Sequence, residues 1–253
     1  MRSFTTLGLA TLVAAVSMAG AQAQTQTLTT TATTTVRPAG PRMGASGTNF
    51  FNVEGNGNGT NASFGVADFL PTANPRATSI NNLVLTLVES DTTFTAPGSF
   101  NIYLASNTGS TSGLTFQSGQ SSTGGIGTQL GNLFLLGTGT FSSPSTNTGT
   151  NNTGQVDRFN LTLNGQDATN LFLSDVNNGT AIRLALGATT DTTAATFFGS
   201  TGSMATTPGA APTLSFSTSA NAPVPEASTT ASFGLLLVLG LGGVAVARRR
   251  KQA

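Results

Sequence analysis

Apolar and polar residues alternate along several short stretches of this chain. Phe159-Asn160-Leu161-Thr162-Leu163-Asn164 and Thr213-Leu214-Ser215-Phe216-Ser217 place every second side chain on one face, the period of a strand with one buried side. Leu83 to Val88, Phe100 to Leu104, Leu133 to Leu136 and Ile182 to Leu186 are further apolar runs of strand length, and Ala62-Ser63-Phe64-Gly65-Val66 supplies an earlier one. Clusters of Gly, Asn, Ser and Pro separate them. Thr95-Ala96-Pro97-Gly98 reads as a turn, and Asn164-Gly165 as a tight hairpin, because both of its residues tolerate positive φ. The stretch Ala168 to Val176 is expected to form one short helix or turn between strands.

About ten strands over roughly 180 residues predict an all-β fold, a single antiparallel β-sandwich over residues 36–218 with a jelly roll as the expected topology. Phe50, Phe51, Phe64, Phe69, Phe100, Phe134, Phe159, Phe172 and Phe216 are the candidates to fill it, and a chain of this length buries a sizeable core. Eight of the eleven residues from Thr25 to Thr35 are threonine. That segment, 24–35, is expected to be a polar leader or a ragged first strand, with a glycosylated stalk as the alternative.

Two apolar runs depart from the strand pattern. Arg2 precedes Leu7 to Ala19, and Ala21-Gln22-Ala23 follows with small residues where a signal peptidase reads, so residues 1–23 are expected to be a secretory signal peptide. Near the other end, Ser232 to Ala247 carries no charge. With its flanks, 230–247, it is about long enough for a helix to cross a bilayer. Arg248, Arg249, Arg250 and Lys251 follow directly and act as a cytoplasmic stop, leaving the body on the other side of the membrane. A helix buried in the core is the alternative. Residues 219–223 form a hinge before this tail.

Val224-Pro225-Glu226, a short apolar span and a terminal arginine cluster together resemble the PEP-CTERM sorting signal of exported proteins in Gram-negative bacteria. The resemblance covers about thirty of the 253 residues, 224–253. It implies that a membrane-embedded exosortase, a cysteine transpeptidase-like enzyme, recognises the Pro-Glu-Pro element at 224–228 and cuts near it during export to the surface or exopolysaccharide. Pro225 and Glu226 match the first two motif positions, Arg248 to Arg250 match the stop, and Ala227 stands where the second proline usually lies. A permanent anchor is the other reading of this tail. The order of the strand-like pieces loosely resembles secreted jelly-roll modules of the DNRLRE type, which accompany polysaccharide-active proteins.

Composition narrows the chemistry. The chain has no cysteine and no histidine, so disulfides, thiol chemistry, Ser-His-Asp and Cys-His catalysis and His-based metal sites are excluded. Its only lysine, Lys251, lies in the tail, which removes a Ser-Lys dyad from the body. Although the whole chain carries +1, the five arginines from Gln24 to Val224 face eight acidic residues, a net charge of −3. No basic stripe exists to neutralise nucleic-acid phosphates.

Three glycine-rich or acidic segments imitate known sites. Gly109-Ser110-Thr111-Ser112-Gly113 has threonine where a nucleophile elbow has serine, and reads as a loop. Gly125-Ile126-Gly127-Thr128-Gln129-Leu130-Gly131 has the wrong final spacing for a dinucleotide fingerprint and reads as a turn into a strand. Asp175-Val176-Asn177-Asn178-Gly179 opens like a calcium loop, but Leu186 occupies the place of the bidentate glutamate. It reads as a turn capping its own backbone, with a calcium ion held partly by loop carbonyls as the alternative.

The remaining catalytic option is a carboxylate pair of the glycosidase kind, for which Glu54, Asp68, Glu89 and Asp91 are the acids on or near strands. Sugar recognition by stacking is poorly supplied, since the chain has no tryptophan and one tyrosine, Tyr103. The sequence therefore points to a non-catalytic surface or matrix protein, needing no cofactor. Its expected partners are the secretion machinery, exosortase, the inner membrane as a transient anchor and extracellular polysaccharide. A secreted polysaccharide-active enzyme is the alternative.

Overall fold

A computed structural model describes residues 24–42, 48–90, 95–118, 124–142, 155–201 and 210–220. The signal segment, the sorting motif, the span at 230–247 and the basic stop lie outside the described residues. No helix among the described residues is long and apolar enough to cross a membrane.

The body is all-β. In chain order its strands are β1 (Gln24–Arg37), β2 (Gly40–Pro41), β3 (Phe50–Glu54), β4 (Phe64–Phe69), β5 (Ala77–Val88), β6 (Gly98–Ala105), β7 (Leu133–Phe141), β8 (Val156–Asn160), β9 (Ile182–Ala188), β10 (Ala194–Phe198) and β11 (Thr213–Ala220). One helix, α1 (Gln166–Asn178), lies between β8 and β9. Every pairing is antiparallel, and one hydrogen-bonded path runs β7-β6-β9-β4-β1-β11-β5-β8. Just beyond β8, the Leu161 amide donates to Leu83 and the Thr162 amide to Leu136, at 2.8 and 2.9 Å. These bonds bring the two edges of the path together, so the sheet curls nearly into a barrel. A separate ribbon of β3 and β10 packs against it.

The threonine run is not a leader outside the domain. It forms β1, the central strand, whose first half pairs with β11 and whose second half pairs with β4. Threonine is β-branched and fits a pleated surface, and here Leu28 and Thr30 point inward while their neighbours stay exposed. The change of partner falls at a bulge between Thr30 and Ala32. There the hydroxyls of Thr30 and Thr31 donate to the Asp68 carbonyl at 2.8 and 3.1 Å, satisfying groups that a bulge leaves unpaired. The sheet thus begins at Gln24, and β11 continues through the first two residues of the expected hinge.

Between the two halves of the path lies the main core. Leu28, Leu85, Leu87, Leu214 and Phe216 meet Phe69, Phe100, Ile102, Leu184 and Leu186. Of the nine expected core phenylalanines, Phe51, Phe64, Phe69, Phe100, Phe172 and Phe216 are fully buried, joined by Phe141, Phe197 and Phe198. Phe50, Phe134 and Phe159 are partly buried. Phe197 packs edge-on against Phe100 and Phe141 with ring centroids 5.7 Å apart. A second apolar cluster, including Val36, Phe64, Val66 and Tyr103, covers the outer face of β4, β6 and β9 beneath Leu114, Ile126 and Leu130.

The helix expected around 168–176 is α1, burying Ala168, Phe172 and Val176 at a four-residue spacing. Phe172 meets Phe216 edge-on at 5.3 Å. Asn164-Gly165, expected as a hairpin turn, instead delivers the chain into this helix. Gly165 does adopt positive φ, 86°, but as the helix N-cap, and the alternation of Leu161 and Leu163 continues past the end of β8, where Leu161 and Thr162 bond to β5 and β7 before the chain turns into the helix.

Candidate functional site

The sorting residues Val224, Pro225 and Glu226 and the stop residues Arg248, Arg249, Arg250 and Lys251 lie outside the described residues, as does Asp91. The other three acids singled out by sequence sit in three separate surroundings.

Asp68 is structural. On β4 it faces outward beside Arg183 of β9, which donates from Nε to Oδ1 and from Nη2 to Oδ2, both at 2.7 Å. Arg183 Nη1 also donates to the carbonyls of Asn107 and Gly109 at 3.1 and 2.8 Å. The Gly109 to Gly113 segment is therefore a loop tied down by a buried guanidinium, and both carboxyl oxygens of Asp68 are engaged by that same arginine.

Glu89 is the chemically unusual acid. It lies just past β5, where its amide donates to the Gln155 carbonyl and its backbone bridges to Phe197. Its side chain is 1 % exposed, and no neighbouring N–H or hydroxyl group donates to either carboxyl oxygen. Asp157 of β8 stands beside it, its Oδ2 likewise unpartnered. Burial, with the neighbouring Asp157 charge and hydrogen bond, pushes the Glu89 carboxyl up to about 8. Two carboxylates have no hydrogen to share; a proton on one makes it a donor to the other. Burial and the adjacent Asp157 charge thus favour the protonated form of Glu89.

This pair differs from a glycosidase pair in both respects that matter. Those carboxyls stand about 5–10 Å apart and flank an open cleft, whereas these two are within hydrogen-bonding reach and Glu89 is sealed. A cavity of about 260 Å³ lies beside the other end of β5, lined by residues such as Asn81, Asn82, Leu83, Leu163 and Thr169, and no acid lines it.

Glu54, on β3, belongs to a polar network. Asn52 Nδ2 donates to Glu54 Oε1 at 3.0 Å and to Thr196 Oγ1 at 2.9 Å, while Arg42 Nη1 donates to Asn52 Oδ1 at 3.2 Å. The turn between Arg37 and Arg42 places both arginines here. Arg37 opposes Gly40 across the β1–β2 ladder, and the Arg42 amide donates to the Thr35 carbonyl. Thr35 in turn accepts from the Asn52 amide, which locks this hairpin to β3. Burial raises the Glu54 carboxyl above its ordinary range against the opposing pull of Asn52 and the two arginines. Burial, and then the charge of Arg37, lower the pKa of Arg42.

The calcium-like segment at Asp175 to Gly179 is the C-terminal turn of α1. Gly179 takes the left-handed conformation with φ 65°, and the Thr180 hydroxyl donates to Asp175 Oδ1 at 2.7 Å. These are the capping bonds of a helix end. Among the described residues no group of three or more acidic residues is placed to hold a metal ion. The glycine-rich segment 125–131 leads through a short turn into β7, as its sequence suggests.

Asp157 and the two arginines were not singled out by sequence. Nothing local in Gln155-Val156-Asp157 announces a partner almost seventy positions away. For the arginines a signal exists, since Arg37-Pro38-Ala39-Gly40-Pro41-Arg42 is a turn sequence flanked by two cations. Compared with known proteins, the chain matches no family model and no curated protein.

Proposed function

We propose that this is a non-catalytic exported protein of the cell surface or extracellular matrix, processed at its C-terminal tail by exosortase and associated with exopolysaccharide. The observation that carries this reading is the three-part tail, Val224-Pro225-Glu226, the uncharged run Ser232 to Ala247, and Arg248 to Lys251. The N-terminal signal delivers the body across the inner membrane by the secretion machinery, and the basic stop holds the tail until it is cut.

Two features of the body support it. Gln24 lies opposite Thr218 across the β1–β11 ladder, so the start of the mature chain and the approach to the tail leave the fold side by side. Of the acids singled out by sequence that the structure describes, Asp68 is salt-bridged, Glu89 is buried beside the half-buried Asp157, and Glu54 lies within a hydrogen-bonded network, an arrangement suited to a scaffold. In this reading the curled sheet is a secreted sandwich of the jelly-roll kind, related to the DNRLRE type.

Fractionation of a host with and without its exosortase tests the proposal. The protein is expected in the medium or on the surface of the complete host, and as a full-length membrane species in the deficient one. Equal release from both hosts contradicts it.

A further inference from the structure

We infer that Arg37, Arg42 and Asn52 form a binding site for a carboxylate, and that its ligand is an acidic polysaccharide bearing uronate groups. The inference rests on the matrix reading for the identity of the ligand, and on the geometry for the site.

Among the described residues the single ion pair is Arg183 with Asp68. Arg37 and Arg42 stand close enough for the charge of one to disfavour that of the other, yet among the described residues neither has a carboxylate within ion-pairing distance. Arg37 Nε is buried without a hydrogen-bond partner. Arg42 spends Nη1 on Asn52. Among the described residues the acid that acts on both arginines is Glu54, and it is engaged by Asn52. Two half-buried arginines held at one end of a hairpin, neither salt-bridged to a described carboxylate, are complementary to an anion between them.

The scaffold holds them in place. Pro38 and Pro41 restrict the turn, Gly40 takes φ 97° at its corner, and the Thr35 to Asn52 bond fixes the hairpin against β3. The cost of ordering two long side chains is thus partly met before a ligand arrives. A sugar carboxylate is favoured over a neutral glycan because the one tyrosine is 7 % exposed within the second apolar cluster and the chain has no tryptophan. No flat ring of these kinds is presented for pyranose stacking. Charge supplies what stacking does not, and the body, otherwise acidic, is steered to present this face.

Affinity electrophoresis of the full-length chain in neutral detergent, through gels containing polygalacturonate or dextran, tests the site. The wild-type chain is expected to be retarded by polygalacturonate and not by dextran. Arg37→Gln and Arg42→Gln each weaken that binding at least tenfold, Arg42→Lys weakens it severalfold by removing the planar fork, and Arg158→Gln on the exposed face of β8 leaves it unchanged. Thermal unfolding establishes that each variant is folded. No retardation of the wild type, full retardation of Arg37→Gln and Arg42→Lys, or displacement by inorganic phosphate at equal charge concentration overturns the inference. Tail processing is read separately by mass, so failure here with normal processing removes this site and leaves the sorting proposal standing.

Discussion

Arg183 grips Asp68 through two parallel hydrogen bonds of 2.7 Å across the β4–β9 ladder, under the loop that follows β6. The same guanidinium anchors that loop through Asn107 and Gly109. Truncating one partner of a buried pair strands the other's charge, at a cost of about 3–5 kcal/mol. Arg183→Met is therefore expected to lower stability by about that amount in urea unfolding, and Asp68→Asn to follow it. Replacing both together costs less than the sum of the two single changes. A strictly additive double mutant contradicts the coupling.

The Glu89 and Asp157 pair sets a pH dependence. Folded Glu89 keeps its proton up to about pH 8, whereas in the unfolded chain it releases it near the ordinary glutamate value of 4.5. The folded state binds the extra proton between those limits. The stability this contributes is complete below the lower one and is lost as pH rises towards the upper. Glu54 and Asp175 are shifted in the same direction. The unfolding midpoint is expected to fall from pH 5 to pH 9. Glu89→Gln, which donates to Asp157 without ionising, flattens that slope and raises the midpoint at pH 9 by about 2–8 °C. A midpoint that rises with pH contradicts the pairing.

Deletion of residues 24–35 separates a leader from a central strand. β1 joins β11 to β4, so its loss leaves two open edges and splits the core between Leu28, Phe69 and Leu214. The deleted protein is expected to lose its cooperative transition in circular dichroism. A midpoint equal to that of the intact chain contradicts the assignment of β1.

Gly65 offers a local test of packing. A Cβ built there lies 2.5 Å from the Phe51 ring, a contact that forces the β3 ribbon away from β4. Gly65→Ala is expected to cost about 1–3 kcal/mol, the usual penalty of overpacking, measured by denaturant unfolding.

The strands were legible where alternation is strong and local. Phe216 and Leu214 announce β11, and Phe100 with Ile102 announces β6, because each run buries one face whatever its partner. The threonine run was ambiguous because burial of hydroxyls depends on partners far along the chain, such as the Asp68 carbonyl. Asn164-Gly165 misled for a related reason. A glycine with positive φ serves a helix cap as well as a hairpin, and the deciding interaction is Phe172 against Phe216. The acids Asp68 and Glu89 were visible as residues, but Arg183 and Asp157, which define their chemistry, are 115 and 68 positions away in sequence. The two arginines were the opposite case, a short-range arrangement written openly in Arg37-Pro38-Ala39-Gly40-Pro41-Arg42.

Intact mass of the protein recovered from membranes and from the medium, for the wild type and for Glu226→Ala, tests the central claim most directly. The account predicts a wild-type extracellular species beginning near Gln24 and ending near Pro225, and a membrane-held Glu226→Ala species that retains Arg248 to Ala253. A full-length C-terminus in the membrane for both proteins contradicts it and makes the tail a permanent anchor.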